Sequence, residues 1–121
     1  MGLEYMDNKK TDGYYVEQVL ENIDLIIKYT NGKSYEEFND DPLLIDAVMF
    51  RLVQMAENIT HISYEFKNQH SNIPWGEIVG FRNGIVHDYG KTDYTIVYDI
   101  ISKDLFVLKD ELEQINYSTT K

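Results

Sequence analysis

Phe81-Arg82-Asn83-Gly84-Ile85-Val86-His87-Asp88-Tyr89-Gly90 brings a guanidinium, an amide, an imidazole and a phenol close together in the chain. Its pattern reads as the end of one helix, running from Trp75 to about His87 and stopped by Gly90. At about 100° per residue, Asn83 and His87, four apart, share a face. Arg82 and Tyr89, seven apart, share a neighbouring face if the last turn stays helical. Arg82 and His87 are five apart and diverge by roughly 140°. One copy therefore does not easily close both groups on one small atom. They line a single cleft if the helix end unwinds or if a second copy contributes.

Such a set suits phosphodiester cleavage in RNA. A guanidinium holds a phosphate in a fork and stabilises the added charge of the transition state. An imidazole moves a proton to or from a ribose hydroxyl or a leaving oxygen near neutral pH. Asn83 can orient that imidazole or donate to phosphate. The scheme calls for no metal and no cofactor. The competing reading is structural: Arg82 as an ion-pair partner, His87 as a helix C-terminal cation and Tyr89 as a packing residue. Spacing alone favours the structural reading, because an Arg and a His five apart are common.

Outward from this stretch, Ile73-Pro74-Trp75 begins the motif helix, and Trp75 on its first turn is expected to fix the entry angle. Gly80 and Gly84, four apart, strip side chains from one face and suggest close approach of another backbone. Upstream, Asp12 is a plausible cap for a helix over 14–29, whose stripe is Val16, Val19, Leu20, Ile23, Ile26 and Ile27; Asn31-Gly32 ends it. Ser34 and Glu37 form a capping box for a short helix that turns Tyr35 and Phe38 inward. Asp41-Pro42 starts a long helix expected to run to about Asn68. Glu57 lies within it, as a solvated glutamate or as a carboxylate paired with Arg82. His61 and His70 read as surface residues, without metal-ligand spacing. Asp93 can cap a last helix, expected over about 94–115.

No segment of useful length alternates with period two, so the fold class is all-α, an up-and-down helical bundle. The expected layout is a loose arm over 1–12, one helical domain over 13–116 and a frayed tail over 117–121. With 121 residues, 43% of them hydrophobic, the chain can bury a real core. No apolar run approaches membrane-spanning length, the N-terminus is too polar for a secretory signal, and cysteine is absent. A cytoplasmic setting is expected. The formal charge of −10 argues against broad capture of nucleic acid but leaves room for a local positive pocket at Arg82.

From about Tyr15 to Ile115 the chain resembles the HepT-like group of the HEPN superfamily. The resemblance rests on Gly32-Lys33-Ser34-Tyr35-Glu36-Glu37-Phe38, Met55-Ala56-Glu57, Ile73-Pro74-Trp75 with Ile78, Val79 and Gly80, and Arg82-Asn83 followed by His87 and Tyr89. Ala56 stands where relatives often carry Gly, and Gly84 where a larger apolar residue is usual. The resemblance implies a homodimeric bundle of HEPN type whose motif helices border a shared cleft. It implies the toxin half of a HepT/MntA-type toxin–antitoxin pair: a metal-independent endoribonuclease in which a ribose 2′-hydroxyl attacks the adjacent phosphate. His87 would transfer the proton, Arg82 stabilise the transition state, Asn83 orient and Glu57 support. It further implies an MntA-like nucleotidyltransferase antitoxin that adds AMP to Tyr89. The alternative from another class is a non-catalytic HEPN dimer that binds a nucleotide or docks a nucleotidyltransferase.

Overall fold

Apolar residues at steps of three and four divide most of the chain into helices, and only their mutual packing hides those stripes from water. The structure, a computed structural model, describes residues 10–87 and 89–119, with Tyr89 and residues 116–119 described by backbone alone. Among the described residues there is no strand and no helix long and apolar enough to cross a membrane. The helices are α1 (Asp12–Thr30), α2 (Tyr35–Asn39), α3 (Pro42–Thr60), α4 (Tyr64–Gln69), α5 (Trp75–His87), α6 (Tyr94–Asp99) and α7 (Leu105–Thr119). A 3-10 turn, Tyr89–Lys91, follows α5, and a π-helical turn, Ile100–Asp104, joins α6 to α7. The all-helical expectation is therefore met.

The most extensive packing is between α1 and α3; α5 lies against α3, and α7 against α1. Val19, Ile23 and Ile26 of α1 meet Val48, Leu52 and Ile59 of α3 in a core closed to solvent. Among the described residues Asn22 is the buried polar one: its amide donates to the Gln18 carbonyl at 2.9 Å and its oxygen accepts from Arg51 at 3.3 Å. On the other flank Lys109 Nζ reaches Asp24 Oδ1 at 2.9 Å, and that hydrogen bond raises the lysine pKa above its ordinary value.

Several caps follow the sequence. Ser34 and Glu37 bond reciprocally at 2.9 and 3.1 Å, and the Ser34 amide holds the Glu37 carboxyl below its usual range. Phe38 is fully buried behind this box. Asp41 accepts from the Leu44 amide, with Pro42 at the start of α3, and Asp93 accepts from the Thr95 amide. Gly32, at φ 75, turns the chain out of α1.

Other expectations are corrected. Asp12 is not the cap of α1. Thr11 Oγ1 accepts from the Tyr14 amide, while the Asp12 carboxylate crosses to Ser63, taking its amide at 2.8 Å and its hydroxyl at 2.7 Å. The single helix expected over 42–68 is two helices, because Ser63 is drawn out to Asp12 and starts α4 by accepting from the Phe66 amide. His70 is half-buried rather than a surface residue, its ring against Phe66. The last helix carries the π turn, where Ser102 Oγ bonds back to the Tyr98 carbonyl. It continues to Thr119, past the expected end at Ile115. Most of the expected N-terminal arm, residues 1–9, lies outside the described residues, as do 120 and 121 at the end of the expected tail.

The Asp12–Ser63 anchor joins parts of the chain that lie far apart in sequence. Asp12→Ala is expected to cost about 2 kcal/mol, because two charge-assisted hydrogen bonds go and the Ser63 amide loses its partner. The exposed control Glu17→Ala should stay within about 0.5 kcal/mol. Urea titration checks both, and equal losses would deny the anchor its role.

Candidate active site on the α5 helix

Trp75 sets where α5 begins. Its ring is buried, and its indole N–H is shared between the Lys67 carbonyl at 3.2 Å and the His70 carbonyl at 3.1 Å. The start of α5 is thereby held against the end of α4, as the sequence suggests. Ile85, near the other end, is also buried. Between these anchors Ile78 and Phe81 are half-buried, while Gly76, Gly80, Asn83, Gly84 and His87 face outward.

Arg82 stands at the border between the two faces. Its Nη2 lies 2.9 Å from Glu57 Oε1 on α3, and its Nη1 donates to Asn83 Oδ1 at 2.8 Å. The two charged side chains retain 26% and 43% of their exposure, so water screens the pair and its contribution to stability is small, about 0–1 kcal/mol. What the contacts do is fix direction. A guanidinium carries five N–H donors in one plane, and two of its nitrogens are tied while Nε is buried without a partner among the described residues. Glu57 thus occupies the paired position foreseen from the sequence.

The structure brings together Arg82, Asn83 and Glu57. It does not bring His87 into that cluster: the imidazole lies exposed at the end of α5, and the Asn83 oxygen turns to Arg82 rather than to His87. This agrees with the divergence of residues five apart on a helix. Asp88 and the Tyr89 side chain lie outside the described residues; the Tyr89 backbone opens the 3-10 turn just past α5. Among the described residues Gly80 and Gly84 do not meet another backbone, since a Cβ at either would touch nothing within 4 Å.

Two cavities flank α5. One of 330 Å³ lies between α3 and α5, lined by Asp46, Met49, Phe50, Val53, Ile85 and Val86. Phe50 and Val86 keep 55% and 54% of their exposure there, so an apolar surface runs beside the Arg82 cluster. The other, 530 Å³, contains neither Arg82 nor His87, and Glu77, Asp104 and Glu111 at its wall would repel a phosphate. Among the described residues no three His, Asp or Glu gather as a metal-binding group would.

Comparison with known proteins adds an independent line. The family model described as Ribonuclease HepT-like matches residues 19–115. A protein of Caldanaerobacter subterraneus subsp. tengcongensis is 32% identical over 106 residues, covering 88% of this chain and 95% of its own. One from Methanocaldococcus jannaschii is 30% identical over 99 residues, covering 82% and 91%. Both carry names beginning "Putative RNase". A third, from Thermococcus cleftensis, named "Probable ribonuclease HepT", is 29% identical over 107 residues, covering 88% and 97%. No solved structure matches the chain.

If Glu57 orients Arg82 rather than stabilising the bundle, Glu57→Ala should lower stability by less than about 1 kcal/mol in urea. At the same time the Arg82 Nε–H signal in NMR should broaden as the guanidinium is released. A large stability loss with an unchanged Arg82 signal would instead make Glu57 a structural residue.

Proposed function

The chain belongs to the Ribonuclease HepT-like family, and from that premise we propose that it is the toxin of a two-component toxin–antitoxin pair: a metal-independent endoribonuclease working in the cytoplasm. The observation that carries the proposal is the oriented, half-buried Arg82 guanidinium on the same helix as an exposed His87.

In this scheme a scissile phosphate sits on the free edge of the Arg82 guanidinium. The ribose 2′-hydroxyl attacks phosphorus, the P–O5′ bond breaks, and a 2′,3′-cyclic phosphate and a 5′-hydroxyl result. His87 serves as the proton-transfer group, taking the proton of the attacking hydroxyl or supplying the one that the leaving oxygen needs. Arg82 stabilises the additional charge of the pentacoordinate transition state. Glu57 and Asn83 keep the guanidinium aimed, so Asn83 acts on Arg82 and not on His87.

Arg82 and His87 stand apart in one copy, and a homodimer resolves that separation by placing the motif helices of two copies along one cleft. The exposed Phe50 and Val86 beside Arg82 support such pairing, as does the side-chain-free surface at Gly80 and Gly84. Control by a nucleotidyltransferase partner completes the proposal. The Tyr89 phenol oxygen attacks the α-phosphorus of ATP, pyrophosphate leaves and the phenolic proton is lost. The adenylate then puts a bulky anion next to the guanidinium and blocks the cleft.

A second reading, a non-catalytic dimer that holds a nucleotide or docks such a partner, draws on the net charge of −10, which disfavours RNA at long range. Two experiments separate them. Purified protein in EDTA should cut RNA, and His87→Ala should lower the rate about 10²–10⁴-fold without shifting the melting temperature; equal rates for wild type and variant would end the catalytic reading. On co-expression with a cognate nucleotidyltransferase, intact mass should rise by whole adenylates and cleavage should fall. Tyr89→Phe should abolish both changes, and a mass gain that survives this substitution would place the modification elsewhere.

A further inference from the structure

One turn of α3 beyond Glu57 stands His61, whose ring does not belong to the Arg82 cluster. It lies parallel to the Tyr15 ring, centroids 5.1 Å apart and planes at 20°. Tyr14 meets Tyr15 edge-on at 5.2 Å, and Lys10 Nζ lies 5.0 Å from the Tyr14 ring centroid. Both Tyr14 and His61 are exposed, while Tyr15 is half-buried and packs on the core. The assembly is also fixed in place: the Asp12 carboxylate, one turn of α1 from Tyr15, grips Ser63 two residues beyond His61 by two hydrogen bonds. The loop carrying the imidazole therefore cannot drift from α1 without breaking them.

We infer that the exposed His61 ring, backed by Tyr15 with Tyr14 braced edge-on against it, forms a stacking platform for an unpaired base of single-stranded RNA. Tyr15 covers one face of the His61 ring, and His61 is exposed. An aromatic face of this kind accepts any base, so the platform confers a preference for unpaired over duplex RNA rather than for a particular sequence. Lys10 adds a cation on the same flank, where the strand's backbone would pass. Placement favours the same substrate. His61 caps α3 four residues after Glu57, and Glu57 touches Arg82. Platform and phosphate site therefore stand at the same end of α3, with His61 turned to α1 and Glu57 to α5.

This inference rests on the ribonuclease reading for its substrate, but its test does not depend on cleavage. A fluorescent single-stranded oligoribonucleotide is titrated against the full-length protein carrying His87→Ala, by anisotropy. Adding His61→Ala should weaken binding about tenfold, and Tyr14→Ala, which removes the edge-on brace of Tyr15, should weaken it as well. His61→Phe, which keeps the stacking face, should restore affinity. An oligomer whose bases are replaced by abasic sites should bind all variants alike. Unchanged affinity for the intact oligomer in His61→Ala and Tyr14→Ala, equal weakening for intact and abasic strands, or no binding by the parent overturns the platform. Metal-free cleavage by wild type is scored separately. Its absence beside base-dependent binding removes the ribonuclease reading and leaves the platform standing; cleavage that is indifferent to His61→Ala and Tyr14→Ala, with unchanged binding, removes the platform alone.

Discussion

The Trp75 indole N–H, shared between two carbonyls at the end of α4, is the constraint on which the arrangement of α5 depends. This helix has little amphipathic character to dock it; among its residues only Trp75 and Ile85 are buried. A helix with so few buried side chains would gain little from packing alone. With the indole anchored at one end and Ile85 set into the core at the other, the stretch between them has a defined rotation about its axis. That rotation puts Arg82 against Glu57 and leaves Asn83, Gly84 and His87 outward. The chemistry proposed for this surface follows from how the helix is pinned more than from any property of the helix itself.

Charge is organised on the same principle. The chain carries ten more acidic than basic groups, so at long range it repels a polyanion, and this repulsion is screened beyond about 10 Å at ordinary ionic strength. Close to Arg82 the balance differs, since Glu57 offsets only part of the guanidinium and both remain in contact with water. Among the described residues Glu57 is the carboxylate paired with Arg82, and an approaching phosphate competes with it there. The anionic wall formed by Glu77, Asp104 and Glu111 lies in a separate cavity.

Local signals were the most legible in the sequence. The Ser34–Glu37 capping box, the Asp41-Pro42 start of α3 and the span of α5 could all be read because each depends on residues within one turn of one another. The Glu57–Arg82 contact could be anticipated because both stand in motifs shared with a known family. What escaped were long-range contacts. Nothing near Asp12 in the chain announces that its carboxylate is committed to Ser63, so local sequence points to Asp12 as the cap and runs α3 on past Ser63. The Tyr15–His61 stack was hidden for the same reason: each residue looks ordinary on its own helix, and only the pairing of α1 with α3 places the rings face to face. The surface at Gly80 and Gly84 is legible as small, but a small residue does not say whose atoms approach it.

The π turn between α6 and α7 bears on how this chain tolerates change in length. Val97, Ile101 and Leu105, all buried, are separated by two steps of four. In an unbroken α-helix two such steps would swing the stripe about 80° away from the core. The wide turn absorbs one surplus residue, so that Leu105, Leu108 and Leu112 re-enter the core in phase. A chain one residue shorter at this point would reach nearly the same phase, within about 20°, with ordinary α geometry throughout. The turn is in effect an expansion joint: homologues of either length can share one core, and the difference between them is confined to a bulge on the outside of the bundle.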